Sequence, residues 1–141
     1  MSWRRSAALR LLTLVWLGAS CGRSEERAAD IALHDAITRL RADAVDTNDR
    51  RMRIVSVKSL PARSPEAKAA QTACSEAYRQ LTNAQDAIFF AELSVKRDLA
   101  TRTPVSTAPA ELALAEQQRA RAKEAMPACD AAASRLALAV R

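Results

Sequence analysis

From residue 25 onward, apolar residues recur at alternating steps of three and four, the spacing that lays one stripe down an α-helix. A first helix is predicted to begin just after Ser24, with Glu25 and Glu26 in its first turn, where acidic side chains suit the helix dipole. Its stripe is Leu33, Ile37, Leu40 and Ala44. The pattern fades at Thr47, Asn48 and Asp49, which predicts a break or kink near Asn48 before helix resumes through Met52 and Val55 toward Leu60 and Pro61. The β-branched group around Ile54, Val55 and Val57 leaves a short extended segment as the alternative.

A second helix has a fuller start signal. Ser64 is the N-cap, Pro65 occupies the first helical position and Glu66 follows. Ala70, Cys74, Ala77, Leu81, Ala84, Ile88, Ala91 and Val95 then form a heptad seam, which Tyr78, Phe89 and Leu99 widen. Phe90 points off this stripe and is assigned to the core against a third helix, with an exposed aromatic contact as the alternative. After a linker over 101–108, a third helix begins near Pro109, Ala110 and Glu111. Its stripe is Leu112, Ala115, Arg119, Ala122, Met126, Cys129, Ala133, Leu136 and Val140, and Pro127 within it predicts a kink and two pieces. The fold class is therefore all-α: an elongated antiparallel helical hairpin or a three-helix up-down-up bundle. Thirty-odd residues per helix set a length of about 50 Å.

Composition narrows the chemistry. Of 141 residues 32 are alanine and aromatics make up only 4%, so large side chains cannot dominate the core. The two glycines, Gly18 and Gly22, lie near the N-terminus, which leaves the body without a Gly-rich phosphate loop or a dinucleotide fingerprint. His34 beside Asp35 is the only neighbouring His–carboxylate pair, and adjacent helical residues diverge too far to form a dyad by themselves. One histidine cannot build a two-His metal site. No Ser or Thr has a recognisable nucleophile context. The expectation is a protein that is not an enzyme, with no catalytic residue, no cofactor and no metal.

Residues 1–20 read as a secretory signal. Arg4, Arg5 and Arg10 precede an apolar run from Leu11 to Leu17, followed by the small residues Gly18, Ala19 and Ser20. The run falls short of the ~20 residues that span a bilayer. Leu17, Gly18, Ala19, Ser20 and Cys21 resemble the lipobox of bacterial lipoproteins, with Gly18 where an aliphatic residue is usual. That resemblance implies cleavage before Cys21, lipidation of Cys21 and a membrane partner through the lipid. Gly22 after the cysteine implies the periplasmic face of the outer membrane rather than the inner membrane. Ordinary cleavage that leaves Cys21 free is the alternative. On this reading 1–20 is removed, 21–24 is a tether and 25–141 is one helical domain.

Two counts then resolve. Three cysteines are an odd number for an exported chain, but a lipidated Cys21 leaves Cys74 and Cys129 as an even pair in an oxidising compartment. Cys74 and Cys129 fall at facing places of a hairpin folded at the start of the 101–108 linker, as do Leu81 with Ala122 and Ile88 with Ala115. A disulfide is predicted, against the alternative of two buried thiols. The excess of 22 basic over 16 acidic residues falls to 19 against 16 once the three leader arginines go. The basic run Arg50, Arg51 and Arg53 reads as a solvated face, and nucleic acid is not an expected partner.

The leading expectation is a membrane-anchored bacterial envelope lipoprotein acting as a helical interaction or structural module, its partner an envelope protein, the cell wall or another copy of itself. The alternative is a periplasmic inhibitor or immunity protein against a hydrolase or toxin, making its contact through the 59–64 or 101–108 loop.

Overall fold

A computed structural model describes the backbone of residues 8–101 and 107–141, with side chains from Gly22 onward. The described residues form four helices: α1 (Ala8–Arg41), α2 (Thr47–Ser59), α3 (Pro65–Thr101) and α4 (Ala108–Ala139). The chain is all-α, as the periodicity predicts, but the first predicted helix is two. α1 also begins well before Ser24 and runs through the predicted cleavage point. No proline precedes Pro61, and nothing in the Ala- and Leu-rich stretch stops a helix once it has started.

The break falls at 42–46, just ahead of Asn48. Asp46 caps α2: its Oδ1 accepts the Asp49 N–H at 2.7 Å, and the Asp49 carboxylate accepts the Val45 N–H at 3.1 Å, a reciprocal pair akin to a capping box. Arg53 reinforces the corner by donating to Arg39 O in the last turn of α1 at 2.7 Å and to Ala42 O just past it at 3.3 Å. The segment 54–57 is helical, not extended. Ile54 and Val57 face the core from α2 at helical spacing.

Ser64 and Pro65 start α3 as predicted, with Ser64 Oγ accepting the Ala67 N–H at 3.1 Å. The loop before it is held from both sides. Buried Asp30 of α1 accepts the Arg63 N–H at 3.2 Å, and Gln71 of α3 donates to Val57 O and Leu60 O, each at 2.8 Å. α4 stays a single helix across Pro127. The residue is exposed, so the donor lost at the ring and the carbonyl it would have met both lie on the wet side.

α3 and α4 form an antiparallel hairpin that makes the largest helix–helix interface, and α1 and α2 pack on one end of it. Arg27 reaches the carbonyls of Val140 and Arg141, Asp30 meets the start of α3, and Arg41 pairs with Asp130 of α4 at 2.8 Å. α1 therefore runs alongside α3, α2 returns, and the base is an up-down-up-down arrangement. Its large buried side chains are Leu33, Ile37, Leu40, Val57 and Leu136. The Sγ atoms of Cys74 and Cys129 are 2.11 Å apart with Cα atoms 4.5 Å apart, so the pair predicted from hairpin register is joined.

Along the hairpin the seam is made of small residues. Ala70, Ala77, Ala84 and Ala91 recur every seven residues on α3, all buried, and Ala108, Ala115, Ala122, Cys129 and Leu136 do so on α4. Above the α1–α2 corner only the two hairpin helices remain among the described residues, as an arm of α3 from Ala87 with its α4 counterpart. Fifteen residues of α3 give this arm about 22 Å of length.

Candidate functional site

The arm departs from its predicted seam in an informative way. Beyond Ala84 the buried α3 positions are Ala87, Ala91 and Ser94, while Ile88 and Val95, read from the sequence as seam residues, are about 40% exposed. Two helices in contact bury a narrow strip, and a residue on its edge needs a third helix to cover it. Leu99 and Leu112, also assigned to stripes, are exposed for the same reason. Phe89 and Phe90 correct the sequence reading most sharply: both are more than half exposed, and Phe90 is not a core residue. The two rings stand edge to face with centroids 5.8 Å apart.

At the root of the arm these rings form one wall of an open cleft of about 610 Å³, whose opposite wall is the α1–α2 corner at Val45, Thr47 and Arg50. The basic run is solvent-accessible, as a solvated face would be, and is also paired. Arg50 donates to Gln85, Arg51 pairs with Asp86, and Arg53 pairs with Asp49 at 2.8 Å. The arginines thus tie α2 to α3 and to the corner, and leave Phe89, Phe90 and Val45 as an apolar rim. Sequence periodicity alone gave no sign of the cleft. Two adjacent phenylalanines on one helix were the readable signal, because residues 100° apart cannot both enter a narrow seam.

The corner carries a pH dependence. The Val45 N–H and then Arg53 hold the Asp49 carboxyl below the usual aspartate range. A lowered folded-state pKa stabilises the corner fully above the ordinary value and loses that contribution as pH falls through the depressed one. Asp49→Asn should therefore lower the melting temperature at neutral pH, with the difference from wild type vanishing in strong acid. An equal difference at both pH values would count against this assignment. Tyr78, buried behind α1, shifts the other way: burial pushes its phenol up, opposed in part by Arg41.

The remaining predicted positions are scattered. Cys21 lies in the N-terminal part of α1, outside the residues whose side chains are described. His34 is half-buried with Nδ1 3.6 Å from Asp35 Oδ1, too long for a hydrogen bond. Of the two candidate contact loops, 59–64 is pinned at the base by Asp30 and Gln71, and most of 101–108 lies outside the described residues. Among the described residues no three His, Cys, Asp or Glu side chains gather as a metal-binding group, and no helix is long and apolar enough to cross a membrane. Comparison of the chain with protein-family models, curated proteins and solved structures returns no match.

Proposed function

We propose that the chain is a membrane-anchored bacterial envelope lipoprotein, tethered through lipid on Cys21, whose hairpin arm engages another macromolecule. The observation that carries this reading is the concentration of exposed large apolar side chains on the arm, Ile88, Phe89, Phe90, Leu93, Val95 and Leu99, within one stretch of twelve residues on α3. Placement supports it. Arg27 and Asp30 locate the exit of α1 at the base, beside the start of α3 and the end of α4, while the arm tip lies at the far end of α3. Thirty-seven residues of α3 separate base from tip by about 55 Å. An anchor at the base would hold the arm away from the bilayer, in reach of a partner.

The anchor and the contact are tested separately in cells. Wild type should incorporate radiolabelled palmitate and fractionate with membranes, and Cys21→Ser should abolish both. Unlabelled wild type, or label surviving in Cys21→Ser, removes the lipid anchor. A photo-crosslinking amino acid at Phe90 should give a discrete adduct that the same group at exposed Ala128 on the base does not. Identical patterns from both positions would remove the arm as the contact surface.

A further inference from the structure

The flank of the hairpin that α1 helps to cover at the base continues bare along the arm in unbroken heptad register. On α3 this line is Ala67, Cys74 and Leu81, then Ile88 and Val95; on α4 it is Val140, Ala133 and Met126, then Arg119 and Leu112. The first three on each helix are buried or packed against the core. The last two on each are exposed. In an antiparallel hairpin the two lines share one side, so the arm presents a helix-wide apolar strip of Ile88, Val95, Leu99 and Leu112 on which no helix of the described residues lies.

We infer that a second copy of this chain covers this strip, the two arms lying antiparallel and flank to flank as a four-helix bundle about a two-fold axis. Self-complementarity favours this occupant. Centring the axis between Glu92 and Val95 sets Ile88 of one copy over Leu99 of the other, twice. The same register places Glu92 beside Lys96 of the second copy, again twice, and brings both Val95 side chains near the axis. An isologous contact needs apolar groups and charges to find their matches on an identical surface, and the α3 side of this strip supplies both. The four apolar side chains are each about 40% exposed or more, and the stems of Glu92 and Lys96 extend the face they form. The inference rests on the arm being an interaction module but not on the lipid anchor.

The test is the mass of the full chain in mild detergent, by light scattering across a concentration series under non-reducing conditions. Wild type should be a dimer. Glu92→Lys should weaken the dimer by about tenfold or more through like-charge contacts with Lys96, and Glu92→Lys with Lys96→Glu should restore it. Val95→Asp should give a monomer with helical content unchanged. Wild type that stays monomeric at high micromolar concentration, or a charge-swapped variant no tighter than Glu92→Lys, overturns self-pairing. The Phe90 crosslink separates the two readings: a monomer that still crosslinks to a different protein in cells overturns only the pairing, and a monomer without an adduct overturns both.

Discussion

Reducing the Cys74–Cys129 bridge should remove about 4 kcal/mol of stability, the chain-entropy cost of releasing a loop with a sequence separation of 55 residues. In a domain of this size that loss lowers the melting temperature by roughly 15 °C. The bridge joins the two hairpin helices at the level where α1 packs on them, so its loss lets α3 and α4 part beneath the rest of the core. Cys74→Ala with Cys129→Ala should behave like the reduced wild type, since alanine already fills the neighbouring seam positions Ala70, Ala77, Ala132 and Ala133. Calorimetry with and without reductant measures both. A double variant as stable as the oxidised protein would show that helix packing alone holds the hairpin in register.

Leu136→Ala is the second large effect, expected to cost about 3 kcal/mol through lost burial and the cavity left behind. Leu136 is fully buried on α4, in a core with few other large side chains: Leu33, Ile37, Leu40 and Val57. Nothing nearby is long enough to collapse into the space. Leu138, two residues on and 67% exposed, is the control, and Leu138→Ala should change stability by no more than about 0.5 kcal/mol. Urea unfolding of the two variants under the same conditions checks the contrast. Equal losses would mean that the C-terminal turns of α4 are not packed as described.

Most of the fold was legible because the devices that build it are local. Ser64 and Pro65 start α3 through a cap and a preset φ, both readable from neighbouring residues. Cys74 and Cys129 could be paired from register because a hairpin of straight helices has an almost constant offset. The break near Asn48 was visible as fading periodicity, although its cause, the exchange between Asp46, Asp49 and Val45, sits slightly earlier. What the residues could not disclose was where a third helix stops. Ile88 and Val95 have the same spacing as Cys74 and Leu81, and only the position of the α1–α2 corner decides which pair is covered. The exposed strip and the far wall of the Phe89–Phe90 cleft follow from that corner, and so lay outside any reading of one helix at a time; only the adjacency of the two rings was visible on α3 itself.

The strict seven-residue recurrence of the hairpin seam makes the reach of the arm adjustable in fixed increments. Adding one heptad on α3 above Asp86, together with one on the facing stretch of α4, keeps Ala84 and Ala91 on the seam and leaves the base and its bridge untouched. Each such step alters the arm by about 10 Å. A chain built this way is a spacer whose span can be lengthened by paired insertions, with no need to redesign the core that holds it upright.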